Sequence, residues 1–444
     1  MTIKLIIRQM FKSHLLFTIW TNIILAVLSL ASGGLAARLL GVAGRGELAA
    51  IQIWPTFLAG FSMLGLSEAI VYFTAKESKN AGRYLVSAVS LTLLVSTLFM
   101  GIGYVFIPIF LAVQSPEVVV ASRIYLLMIP LFSLIGLPLQ TLRGRNDLLV
   151  WNLIRLVQPF GWVCILLVMG LGGRNSAPEA ALVYLWMVGL LFLPIAYIVS
   201  RRIPGPYRFE RNLWSPMLRF GIPSVAASLP VILNLRLDQL LMAAFLSPQV
   251  LGLYVVAVAW ASAVSPLLNA IGIIIFPRVA SQTIPKERMR VLIQGIHLAV
   301  MVGLGVVVIL ITITPYVLPW IFGEDFRQAI PSSLILIIAG VISCISSILE
   351  EGARGLGKPS VVLAGESVGL VATILALALL LKPFGILGAS ISSLLGYSGT
   401  LFALLFQISR ITELRFGAIL LPERSDVDWI LMRFRSLTGR SNVC

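Results

Sequence analysis

Between residues 10 and 410 the chain is a row of apolar runs, each about 20 residues long, with its Lys and Arg residues collected in every second gap. A soluble core has no use for that many uninterrupted hydrophobic stretches. A bilayer does, because each run matches its roughly 30 Å of hydrocarbon. The chain therefore reads as an all-α, polytopic membrane protein. Its 444 residues are 59% hydrophobic and 11% charged, with a mean hydropathy of +1.00.

Twelve spans are predicted, at about 15–37, 48–74, 84–112, 119–141, 148–172, 180–200, 217–246, 250–276, 292–320, 331–351, 359–381 and 385–408. Of the 33 Lys and Arg residues, 25 lie in the gaps on one side and 5 on the other, and Arg123, Arg155 and Arg236 lie within spans. By the positive-inside rule the rich side is cytoplasmic, with both termini on it. The start, MTIKLIIRQMFKSH, reads as a cytoplasmic lead into an uncleaved first helix. The tail from 411 to 444 mixes Leu, Ile, Phe and Trp429 with Arg and Asp, a composition suited to an amphipathic helix on the membrane surface.

The net charge of +15 forms no basic block, so nucleic acid is not an expected partner. The basic residues sit at span ends, where they meet anionic lipid. Cys164, Cys344 and Cys444 make no disulfide framework or metal cluster. His14 and His297 are the only histidines, and no Walker A sequence occurs. Neither catalysis nor a cofactor is expected.

Two halves are visible. RLLGVAGRGELAAIQIW (38–54) parallels FLSPQVLGLYVVAVAW (245–260), each placing a glycine, Gly46 or Gly252, before a new helix. LQTLRGRNDLLVWNLIRLV (139–157) parallels LEEGARGLGKPSVVLAGESVGLV (349–371), which sets Arg155 opposite Glu366. Six spans per half is an even number, so the halves share one orientation and are related by a pseudo-two-fold along the membrane normal. The expected division is an N-terminal lobe at 1–206, a C-terminal lobe at 207–408 and a tail at 409–444. Two lobes around a cleft is the architecture of an alternating-access transporter.

The run LRLDQLLMAAFLSPQVLGLYVVAVAWASAVSPLLNAIGIIIFPRVAS (235–281), LPWIFGEDFRQAIPSSLILIIAG (318–340), the 349–371 stretch, GILGASISSLLGY (385–397) and ARLLGVAGRGELAAIQIWP (37–55) together resemble the oligosaccharide flippases. These form the polysaccharide biosynthesis branch of the superfamily that also holds the multidrug and toxin extrusion (MATE) antiporters. The resemblance implies a two-lobed, V-shaped fold in the bacterial inner membrane. It also implies translocation of an undecaprenyl-pyrophosphate-linked oligosaccharide for surface polysaccharides such as O-antigen or exopolysaccharide, beside polymerase and glycosyltransferase partners. Lipid II flippases of the superfamily usually carry fourteen spans, against the twelve read here. The rival function is a cation antiporter of the MATE type, which needs a carboxylate-dominated cleft.

Charges inside spans are costly and so become candidates. Arg236 is either a pyrophosphate ligand, gripping with paired N–H donors, or part of a strut within the bundle. Asp238, two residues on along the same expected helix, points about 200° away and is a candidate switch or lobe-to-lobe partner. Arg155 and Glu366 are candidates for pairing at the cytoplasmic mouth or for separate snorkelling to water. Arg38 and Arg45, on the outer side against the charge trend, are candidates for attracting the anionic substrate. Glu68 either lines the cleft or is a buried, protonated carboxyl. Asn22, Asn152, Asn234 and Gln140 either bond sugar hydroxyls or join helices.

Overall fold

The broad apolar surface faces outward. On α3 (Ala81–Phe110) Leu94, Leu98, Val105 and Ile109 fall on one stripe and are 61–65% exposed, while Ala88, Thr92 and Ser96 on the other side are buried. Large aliphatic groups outside and small or hydroxyl groups inside is the inverse of a soluble core. It is the arrangement that lipid favours, because helices then associate through close backbone approach rather than through the hydrophobic effect. The protein is a multi-pass membrane protein.

The structure, a computed structural model, describes residues 2–173, 176–266, 268–269, 271–272, 285–356, 358–412 and 414–422, and side chains from residue 17. The tail beyond 422, with Trp429 and the expected surface helix, lies outside the described residues, as do Arg174 and Arg278. Among the described residues nine helices are long and apolar enough to cross a membrane, and Pro248–Val264 forms a shorter apolar one. Two of the nine are broken by a glycine in the left-handed region, Gly41 (φ 68°) and Gly385 (φ 53°), so each supplies two spans. With the shorter helix this agrees with about twelve spans, although the expected span at 250–276 lies partly outside the described residues.

The helices are α1 (Thr2–Ser62, bent at Gly41), α2 (Leu66–Lys76), α3, α4 (Pro116–Tyr125), α5 (Met128–Gly144), α6 (Leu148–Leu171), α7 (Ala177–Arg202), α8 (Trp214–Asn234), α9 (Leu237–Phe245), α10 (Pro248–Ala261), α11 (Pro285–Phe322), α12 (Ile330–Gly355), α13 (Pro359–Thr412, bent at Gly385) and α14 (Phe416–Leu420). Leu64 and Gly65, both with positive φ, separate α1 from α2. Ser115 caps α4 by accepting from the Val118 N–H, with Pro116 at the first helical position.

By packing, the described residues form two compact units, one from within 1–259 and 318–329 and the other from within 260–317 and 330–422. The packing boundary falls later in the chain than the 206/207 joint placed from the repeat. In the first unit the segment between α7 and α8, together with the first residue of α8, is tied to α3. Arg83 pairs with Glu210, the Trp214 indole donates to the Ser87 carbonyl at 2.9 Å, and the Glu210 N–H donates to the Ser87 hydroxyl at 3.0 Å. In the second unit the two arms of α13 fold against each other, with Gly365 on Leu404 and Gly396 on Thr373. There Trp260 donates to Thr314 at 2.8 Å.

Candidate functional site

Arg236 and Asp238 do not share a continuous helix. α8 ends at Asn234, and Arg236 occupies the cap position before α9 with φ −132°. The geometry expected from an unbroken helix is thereby corrected: the break leaves Arg236 exposed at the cap and Asp238 buried in the first turn of α9. The Asp238 carboxyl accepts from the Gln239 N–H at 2.7 Å and from the Tyr254 hydroxyl at 2.5 Å.

The segment holding Arg45 is also helical rather than a loop. α1 bends at Gly41 and continues, so Arg45 stands one turn into its second arm. From there Arg45 lines a cavity of about 340 Å³ in the first unit, together with Arg236. The Arg45 Nε is buried without a hydrogen-bond partner. A buried donor left unpaired is costly, so this group is suited to a ligand that brings an acceptor. Gln52, Thr56 and Gln239 add neutral polar groups to the wall, Tyr125, Trp162 and Tyr184 add aromatic ones, and no carboxylate is among the described residues that line it. Arg45 and Arg236 are about 190 residues apart in sequence and belong to different repeats, yet the fold brings them to one chamber.

The other candidates lie elsewhere. Arg38 Nε donates to the Ile321 carbonyl at 2.9 Å and its Nη2 donates to the Trp320 carbonyl, so it caps the end of α11. Arg155 donates to Asn22 at 3.0 Å and to Asn152 at 3.2 Å, and its guanidinium lies 4.3 Å from the Trp151 ring centre. Asn152 in turn donates to Thr18 at 2.9 Å. Of the two roles open to Asn22 and Asn152, joining helices is the one their contacts perform. Glu68 is exposed in the first turn of α2, which corrects its reading as a buried carboxyl. Glu366, in the second unit, is buried, and its carboxyl hydrogen-bonds that of Glu350, which also pairs with Arg354 at 3.4 Å.

Gln52, Thr56, Tyr125, Trp162, Tyr184 and Gln239 are not singled out by sequence reasoning. Gln52 and Gln239 carry a usable signal, since an uncharged amide inside a span is as unusual as an asparagine. The aromatic residues carry none, because Trp and Tyr in a span are commonly packing or interface residues.

The sequence pattern of the family described as polysaccharide biosynthesis protein matches residues 11–281. The chain belongs to that family. No curated protein matches it. Among solved structures, the family member is similar to the lipid II flippase MurJ in an inward closed conformation, with a TM-score of 0.72, 15% identity, and coverage of 97% of this chain and 94% of that one. It is also similar to a mutant form of the Vibrio cholerae MATE transporter VcmN (TM-score 0.62, 15% identity, 92% and 98% covered). A further likeness is to an inward-facing multidrug resistance MATE family transporter (TM-score 0.60, 16% identity, 90% and 95% covered). At these identities the likeness is one of fold, and it agrees with the MATE-like helical architecture expected from the sequence.

Proposed function

We propose that the chain is a flippase for a polyprenyl-pyrophosphate-linked oligosaccharide, working by alternating access in the bacterial inner membrane with both termini in the cytoplasm. The observation that carries this reading is the joint placement of Arg45 and Arg236 on one polar cavity with no carboxylate among its described lining residues. A diphosphate stripped of water needs counter-charge and directed donors, and two guanidinium groups supply both. A cation antiporter needs the opposite sign, and the one buried carboxyl close in sequence to this wall, Asp238, is bonded to Tyr254 and Gln239. The sugar hydroxyls meet the amides of Gln52 and Gln239, and the polyprenyl tail stays in lipid. Gating and coupling are assigned to Asp238, Glu366 and Glu68, outside the cavity. Arg155 and Arg38 support the helices that carry it. A polymerase and glycosyltransferases of the same pathway are the partners this activity requires.

The test is a strain whose labelled surface glycan depends on this chain. Replacing Arg45 or Arg236 by Ala is expected to lower surface glycan at least about tenfold, corresponding to loss of one charge-assisted contact. Lys is expected to restore less than half of it. Normal surface glycan in both Ala variants at normal membrane abundance would remove the cavity from the mechanism. Loss of export of tetraphenylphosphonium instead would favour the antiporter.

A further inference from the structure

The cavity has an aromatic side that the diphosphate does not use. Trp162 on α6 and Tyr184 on α7 meet at 4.8 Å between ring centres with planes at 68°. Gln158 donates to the Tyr184 hydroxyl at 2.7 Å, and Gln52 donates to the Tyr125 hydroxyl at 3.3 Å. A phenol that accepts from an amide keeps its own hydrogen for another acceptor. Trp162 and Tyr184 are half-buried, so each has a part facing the cavity and a part fixed by packing. An edge-on aromatic pair braced in this way presents a flat, electron-rich indole at low ordering cost.

A wall of flat aromatic, amide and phenol groups beside two guanidinium groups has two chemical halves. The cationic half fits phosphate oxygens. The aromatic half fits the C–H face of a pyranose ring, whose slightly positive hydrogens are drawn to the aromatic face while its hydroxyls find Gln52, Gln239 and Thr56 at the margin. The volume of about 340 Å³ lies at the small end of the range of about 300–1,000 Å³ typical of ligand pockets. It matches a diphosphate with one sugar ring rather than a whole oligosaccharide.

We infer that Trp162, held by Tyr184, is a saccharide platform and a specificity-determining residue, contacting the sugar unit bonded to the diphosphate. This rests on the reading of the cavity as a diphosphate-glycan site. Tyr184 acts through Trp162 as a positioning residue. The platform favours a sugar with a flat unsubstituted C–H face and gives no advantage to a bare diphosphate.

The full chain in detergent is titrated with farnesyl pyrophosphate and with farnesyl pyrophosphate bearing glucose, galactose or N-acetylglucosamine. In the native protein at least one sugar-bearing probe is expected to bind about three- to tenfold tighter than the bare probe, the gain one aromatic contact provides. Trp162→Leu is expected to bring the sugar-bearing probes to the affinity of the bare probe measured in the same variant, and Trp162→Phe to retain most of the advantage. Tyr184→Phe, which keeps the ring pair but loses the bond from Gln158, is expected to reduce the sugar advantage without abolishing it. An advantage that survives Trp162→Leu, an equal loss for bare and sugar-bearing probes, or no advantage for any sugar would overturn the platform. So would tetraphenylphosphonium binding that depends on Trp162 in place of sugar binding. Bare-probe binding indifferent to Arg45→Ala and Arg236→Ala would instead overturn the diphosphate reading. The unfolding temperature of each variant separates binding loss from misfolding, and Trp162→Phe keeps the test open if Trp162→Leu fails to fold.

Discussion

Gly46 and Gly252 meet backbone to backbone. A β-carbon on Gly46 would stand 2.8 Å from the Gly252 nitrogen, and one on Gly252 would stand 3.0 Å from the Gly46 nitrogen. The same two glycines hold corresponding places in the two sequence repeats. Reciprocal contact between equivalent residues is the pattern that a two-fold axis running between them produces. The approach leaves no room for a side chain, since a β-carbon on Gly46 would also overlap the Pro248 carbonyl oxygen and one on Gly252 that of Val42.

Alanine at either position is therefore expected to push α10 away from α1 and to destabilise the protein by about 1–3 kcal/mol, the usual cost of overpacking. Thermal unfolding in detergent measures this. Gly60 is the control, because a β-carbon there has nothing within 4 Å, so Gly60→Ala is expected to be neutral or slightly stabilising through helix propensity. The Gly46→Ala, Gly252→Ala double variant is expected to cost less than the sum of the singles, since the second change acts on a gap already opened.

Arg38 is expected to affect stability and leave ligand binding intact. Its two-point grip on the Ile321 and Trp320 carbonyls depends on the forked guanidinium, which Lys cannot reproduce. Arg38→Lys should therefore lose nearly as much as Arg38→Ala, about 1 kcal/mol for this exposed group. Binding of the bare diphosphate probe should be unchanged in both. An Arg38→Ala protein of native stability with weakened binding would return Arg38 to the substrate path.

Asn152 is fully buried between Thr18 and Arg155, so Asn152→Ala removes two side-chain hydrogen bonds at once. With about 0.6 kcal/mol, and at most about 1.7, for each such bond in a membrane, a loss of about 1–3 kcal/mol is expected. A double-mutant cycle with Arg155→Ala should give a coupling above about 0.5 kcal/mol, the sign of one shared network. Strict additivity would show that the two residues act apart.

Tyr254→Phe deletes the hydroxyl that donates to the buried Asp238 carboxyl at 2.5 Å. A destabilisation of about 1–3 kcal/mol is expected, measured by unfolding in detergent. Asp238→Asn in the Tyr254→Phe background should then cost less than Asp238→Asn alone. Equal costs in the two backgrounds would show that the carboxyl does not depend on this hydroxyl.

What the sequence determined by itself was everything that follows from solvent matching. Apolar length set the spans from about residue 15 to 408, and the repeat singled out Gly46 and Gly252 as equivalent. The glycines that break α1 and α13 were visible as residues, but their left-handed conformations at Gly41 and Gly385 were not, because a glycine within an apolar run is compatible with a straight helix and with a bend alike. The same local freedom decided the site. Whether Arg236 and Asp238 lay on one continuous helix depended on the α8–α9 break, and whether Arg45 sat in a loop or a helix depended on the arm beyond Gly41. Only the tertiary structure brought Arg45, Arg236 and Trp162 to one cavity and turned Arg38 and Arg155 to bonds within the framework. Hydropathy reports how far along the bilayer normal a residue lies and nothing about its rotation around the helix axis, which is fixed by packing against neighbours distant in the chain.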